Sequence, residues 1–119
     1  MTSLMQPNSP KPNHEDFETM MEETWTKIQE LSRLKGGEYA GDVNRLENFD
    51  RNARDCGTSP ELVWRIYAGK HWDAITQYIN DKTNGKERQR LELITGRIDD
   101  LILYSLLLKF MVLRGSVDG

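Results

Sequence analysis

The chain is 119 residues long, with 16 Lys+Arg against 19 Asp+Glu, a net charge of −3 and one cysteine. That length suits one domain able to build a core without cystines or structural metal. The charge shows no basic surplus of the kind expected of a duplex-binding protein, and a lone Cys56 excludes both a disulfide within these residues and a Cys-x-x-Cys metal motif.

Residues 1–13 are polar, carry three of the four prolines and read as a flexible N-terminal arm. They lack the charged start and apolar middle of a secretory signal, so the sequence points to the cytoplasm. The helical domain is expected over residues 14–115, followed by a short tail at 116–119. Asn13 or His14 opens the first helix, with Glu15, Asp16 and Glu18 near its positive end. Phe17, Met21, Trp25, Ile28 and Leu31 recur at spacings of three or four and define one face. Gly36-Gly37 stops this helix after Lys35.

Glu38 to Asp42 forms a connector. A second helix is expected over Val43 to Cys56, with Leu46, Phe49 and Ala53 inward and Gly57 at its end. Ser59-Pro60 starts a third, because a serine hydroxyl caps free backbone N–H groups and proline fits the first helical position. A wide stripe from Leu62 through Val63, Ile66 and Tyr67 to Ile79 marks its apolar side, and Asn84-Gly85 ends it. Residues 86–92 are charged and read as loop or a frayed helix start, with Thr95 as a cap. From Ile98 to Leu113 the chain is apolar on most sides, which places this last helix centrally or in an oligomer interface. Lys109 interrupts the apolar run long before the roughly 20 residues that a bilayer-spanning helix needs. The fold class is therefore all-α, a bundle of about four main helices.

Acids beside a buried run are costly unless paired or holding a cation. Glu38 follows the Gly-Gly turn and Asp100 immediately precedes the most apolar stretch, so both are candidate metal ligands. Mg²⁺, a hard cation that prefers carboxylate oxygens, fits them. Without a ligand, Asp100 would face the helix dipole and pair with Arg97, and Asp99 would be a solvated first-turn acid. Lys70 and His71 sit together on the third helix. Lys70 suits a phosphate and His71 a base or hydrogen-bond partner, the plainer alternatives being a Lys70–Asp73 surface pair and a packed histidine. The other arginines, Arg45 among them, are mixed with acids and read as a solvated face. The tryptophans and Tyr67 and Tyr78 read as core, leaving Tyr39 in its loop as the aromatic for ligand contact.

Lys35-x-x-Glu38-Tyr39, then Asn48-Phe49, Lys70, and Asp100-Leu101-x-x-Tyr104 together resemble small bacteriophage proteins of the nucleotide-modification-associated helical family. The resemblance runs from about Trp25 to Leu113. It implies a compact helical domain associated with modified or free nucleotides, in the cytoplasm of a bacterial host. Lys35, Tyr39, Lys70, His71, Arg97 and Tyr104 become the substrate-binding set, with Glu38 and Asp100 for metal. More distantly, the last motif is similar to that of MazG-like all-α nucleotide pyrophosphatases, whose Glu-x-x-Asp precedes an apolar helix. This chain has Arg97 where that Glu belongs.

The expected function is accordingly nucleotide handling, with Mg²⁺-dependent hydrolysis of a nucleoside triphosphate phosphoanhydride as the reaction. The alternative, motivated by Arg97, is a non-catalytic nucleotide-binding or sequestering protein, or an interaction module assembling through its last helix. The partners are a nucleotide or nucleoside phosphate and a second copy of the chain, with neither membrane nor duplex nucleic acid.

Overall fold

The computed structural model describes residues 13–35 and 45–115. They form four helices and no strand: α1 (His14–Lys35), α2 (Glu47–Cys56), α3 (Pro60–Thr83) and α4 (Ile94–Gly115). The expected arm and tail, the Gly36-Gly37 stop, the Glu38–Asp42 connector and Val43 lie outside the described residues. None of the described helices is long and apolar enough to cross a membrane.

Local chemistry sets the helix ends. The Asn13 side chain accepts from Asp16 N–H at 2.9 Å, and the Asp16 carboxylate accepts in return from Asn13 N–H at 3.1 Å, a reciprocal cap that satisfies two free donors. α2 closes on Gly57, whose φ of 66° lies where only glycine sits without strain. Thr58 N–H then bonds Ala53 C=O at 2.9 Å and turns the chain directly into α3. There Ser59 Oγ accepts from Leu62 N–H at 3.2 Å and Pro60 occupies the first turn, as its missing donor and fixed φ favour. The start of α4 differs from expectation. The Leu93 carbonyl accepts from both Gly96 and Arg97 N–H, so Thr95 lies inside the first turn and is not the cap.

The core joins α2, α3 and α4. Leu46, Phe49, Ala53, Val63 and Met111 are buried together, with Trp64, Tyr67, Tyr104, Leu107 and Leu108 packed around them. The three inward residues read from the α2 periodicity are all buried. Trp64 Nε1 donates to the Tyr104 carbonyl at 2.6 Å and pins α3 to α4. At the far end Arg114 forms a two-pronged pair with Asp50, at 2.7 and 3.0 Å, joining α4 to α2. Asp81, buried at the end of α3, accepts from Arg88 at 2.7 Å and Arg90 at 2.9 Å, so the α3–α4 loop is held by charge-assisted bonds.

Two apolar patterns are only partly used. On α3, Val63 is buried, but Leu62, Ile66 and Ile79 are exposed, because α2 and α4 cover one side of this long helix. On α1, which packs against α4 alone among the described helices, Ile28 is buried and Leu31 half-buried, whereas Phe17, Met21 and Trp25 remain about half exposed.

Removing buried methylenes loses transfer free energy and leaves a cavity, so Met111→Ala should cost about 2–5 kcal/mol. Ile79→Ala, on the exposed side of α3, should stay within about 0.5 kcal/mol of wild type. Urea unfolding followed by circular dichroism measures both.

Candidate functional site

Between α1, the turn before α2, α3 and α4 lies a cavity of about 370 Å³, lined by Lys35, Arg45, Asn48, Phe49, Tyr67, Lys70, His71, Leu103, Tyr104 and Leu107. That volume is in the range of small-molecule sites, roughly 300–1,000 Å³. Four of the six residues assigned to substrate binding from the sequence, Lys35, Lys70, His71 and Tyr104, meet here from three helices. Tyr39 and Glu38 lie outside the described residues.

Aromatic rings form one wall. Phe49 lies 5.9 Å from Tyr67 and 6.2 Å from Tyr104, the second pair nearly perpendicular at 79°. The His71 ring lies 5.2 Å from Tyr104. Asn52 donates to the Tyr67 hydroxyl at 3.0 Å and fixes the outer end of that ring. The Phe49–Tyr104 pair follows the edge-to-face preference of aromatic quadrupoles, and the other two pairs are tilted. Tyr67, expected in the core, does pack against it, and it also faces the cavity.

Cations and the Asn48 amide form the rest of the polar lining. Lys70 Nζ stands 5.9 Å from the centre of the Tyr67 ring. Arg45 donates to the Ser32 carbonyl at 2.9 Å and to Ser32 Oγ at 3.1 Å, which ties the turn before α2 to α1. Burial lowers the Arg45 pKa from its ordinary value. Lys35, at the last position of α1, donates to Asp100 Oδ1 at 2.9 Å. Among the described residues the lining contains three basic side chains and no carboxylate, so its field favours an anion.

Asp100 stands behind this lining. Oδ1 is taken by Lys35, and Oδ2 lies 3.7 Å from His71 Nδ1. Arg97 does not pair with it as expected: Arg97 Nε meets Glu92 at 3.1 Å, and Nη1 lies 3.5 Å from His71 Nδ1. The physical reason is that α1 ends beside Asp100 and delivers Lys35 there, while Arg97, one turn earlier, faces the loop before α4. Arg97 therefore lines a second, smaller cavity of about 230 Å³. Asp99 is not a solvated acid either; it is 7% exposed and pairs with Lys27 of α1 at 3.3 Å. Among the described residues no group of three or more His, Cys, Asp or Glu is arranged to hold a metal ion.

Sequence reasoning set Arg45 among solvated arginines and had no signal for its role. Its place depends on the turn before α2 meeting α1, a long-range event. Asn48 and Phe49 carried a signal only through the family-like motif. The chain matches no protein-family model, no curated protein and no solved structure.

His71 is mostly buried beside two cations, and its pKa is lowered from 6.5, chiefly by burial, with Asp100 pulling it up and Arg97 and Lys35 pulling it down. A depressed histidine pKa means that folding favours the neutral ring. The stabilisation is complete above pH 6.5 and is lost as pH falls from there towards the folded pKa. An NMR pH titration of the imidazole should therefore show a midpoint below 6.5, and Asp100→Asn, by removing the raising charge, should move it lower still. A midpoint that rises in the variant would contradict this arrangement.

Proposed function

We propose that this protein binds a nucleoside phosphate in the cavity between α1, α3 and α4. The observation that carries the reading is the convergence of Lys35, Arg45 and Lys70 with the rings of Phe49, Tyr67 and Tyr104 around one opening of about 370 Å³. A nucleotide has the two chemistries this lining complements: an anionic phosphate for the basic side chains and a flat aromatic base for the rings. Lys70, a flexible point charge with no ion pair among the described residues, would follow the phosphate. Stacking of a base on such rings is worth about 1–3 kcal/mol. Asn48 adds an amide NH₂ able to donate to a base edge or sugar hydroxyl, its Oδ1 already accepting from Arg51 at 3.1 Å.

The resemblance to phage nucleotide-modification-associated proteins supports the same ligand class, because Lys35, Asn48, Phe49, Lys70 and Tyr104 of its motifs are all cavity residues. It also supports a setting in the cytoplasm of a bacterial host. Binding without turnover is the primary reading, since the described lining is cationic and Asp100 Oδ1, behind it, is already engaged by Lys35.

Mg²⁺-dependent hydrolysis of a phosphoanhydride is the second reading. It is favoured by Asp100 standing directly behind Lys35 at the edge of the cavity, with a side chain 15% exposed. Asp100 and Glu38 would hold the ion, which would supply charge neutralisation on the phosphates. Admitting it requires Lys35 to release Oδ1 and turn towards the ligand.

A thermal-shift screen of nucleotides with Mg²⁺ and with EDTA tests both readings, because a ligand that binds only the folded state raises its apparent stability. A chelator-insensitive shift is expected, and Lys35→Ala and Lys70→Ala should each weaken binding about tenfold, equivalent to about 1.4 kcal/mol. Arg97→Ala, outside the cavity lining, should weaken it less. A shift abolished by EDTA and accompanied by phosphate release would move the assignment to hydrolysis. No shift with any nucleotide would refute nucleotide binding.

A further inference from the structure

The loop between α3 and α4 has more donors than acceptors. Asp81, whose side chain is 8% exposed, accepts from Arg88 Nε at 2.7 Å, from Arg88 Nη2 at 3.3 Å and from Arg90 Nη2 at 2.9 Å. One carboxylate therefore serves two guanidinium groups, and one positive charge is left over. Arg90 Nη1 turns instead to the Arg88 carbonyl at 3.3 Å, and the Tyr78 ring lies 5.2 Å from the Arg90 guanidinium carbon and steadies it. Arg90 Nε is the one buried side-chain atom without a hydrogen-bond partner among the described residues. Buried donors are nearly always paired, so this guanidinium gains from a further acceptor beside it.

Arg88, Arg90 and Arg97 together line the cavity of about 230 Å³ between the second half of α3, this loop and the start of α4. Among the described residues its lining has one carboxylate, Glu92, which meets Arg97 Nε at 3.1 Å but is 59% exposed. A pair so open to water holds its partner weakly. Arg88 Nη1 and Arg97 Nη2 have no acceptor among the described residues, and Gln77 and Gln89 add neutral amide donors to the same wall. With Asp81 included, three guanidinium charges meet two carboxylate charges. A neighbouring cavity of about 350 Å³, which shares Arg88 and Arg90, adds Lys82 and Lys86 against Glu87. The positive excess is thus local, in a chain whose net charge is −3.

Size and donor type define the ligand. Sites for drug-sized molecules start at roughly 300 Å³, so this cavity suits a smaller group. Guanidinium forks match the paired oxygens of phosphates and carboxylates. A carboxylate offers two oxygens, whereas a phosphoryl dianion offers enough to accept from three arginines at once. We propose that this cavity is a binding site for a phosphoryl group. It shares no lining residue with the cavity of Lys35, Arg45 and Lys70, so occupancy of one does not presuppose occupancy of the other. The two approach each other where Arg97 Nη1 lies 3.5 Å from His71 Nδ1.

An NMR titration of the full chain with inorganic phosphate, at ionic strength held constant with sodium chloride, tests the site. Saturable shifts are expected at the Nε–H signals of Arg88, Arg90 and Arg97 and in the backbone of residues 88–97. Arg97→Gln should weaken this binding about tenfold by removing one charge-assisted donor group, with unchanged far-ultraviolet circular dichroism. Lys70→Ala should leave it unaltered. Glycerol 3-phosphate is the second probe: tighter binding of the ester assigns the site to the phosphoryl end of a larger ligand, and tighter binding of the ion assigns it to free phosphate. Shifts confined to Lys35, Arg45 and Lys70, shifts that never saturate, or equal shifts with chloride alone would overturn the proposal. So would a folded Arg97→Gln that binds phosphate as tightly as wild type. If that variant unfolds, the wild-type titration decides, because the place and saturation of its shifts need no variant.

Discussion

The packing of α3 on α4 is the constraint from which the rest of the structure follows, and its centre is the indole of Trp64 donating to the Tyr104 carbonyl at 2.6 Å. A mid-helix carbonyl that accepts a side-chain donor fixes both the rotation and the height of one helix against the other. With that register set, His71, about two turns after Trp64, comes to rest on the Tyr104 ring, and Asp100, one turn before Tyr104, comes within reach of His71. Leu107, Leu108 and Met111, one and two turns later, reach the core residues of α2 and α3. A single hydrogen bond thus sits between a hydrophobic core on one side and a polar cluster on the other.

α1 is attached differently. Its link to the remainder of the chain is made of a short apolar contact around Ile28 and of charges: Lys27 with Asp99, Lys35 with Asp100, and the Ser32 backbone with Arg45. Ion pairs of partly buried side chains give geometry more than stability, because desolvation offsets much of their attraction. They do define where α1 ends, and the end of α1 supplies one cation of the cavity. These contacts all fall between Lys27 and Lys35, in the second half of α1, whereas Phe17 and Met21 in its first half stay about half exposed.

The cavity owes its character to separation of charge. Its basic groups line the opening, while Asp100, which balances Lys35, stands behind it, and Asp99 is taken up by Lys27 of α1. An anion entering the cavity would meet Lys70 and Arg45 directly and would compete with Asp100 for Lys35.

Much of this was legible in the sequence, and the division is physical. Gly57, Ser59-Pro60 and Asn84-Gly85 mark helix ends by local steric and hydrogen-bonding rules, so the boundaries of α3 and the end of α2 could be read directly. The α2 periodicity selected Leu46, Phe49 and Ala53 correctly, since a short amphipathic helix has only one side to bury. By itself, then, the sequence determined an all-α chain, the caps at Gly57, Ser59-Pro60 and Asn84, and the α2 core face. Only the tertiary structure decided which charges meet. Asp100 pairs with Lys35 rather than Arg97, Asp99 is buried against Lys27, and Arg45 joins the cavity, because each depends on a contact between residues far apart in the chain. Nor could periodicity alone decide how much of the apolar rows on α1, α3 and α4 is covered, since a pattern specifies a face and only the neighbouring helices determine whether anything packs against it.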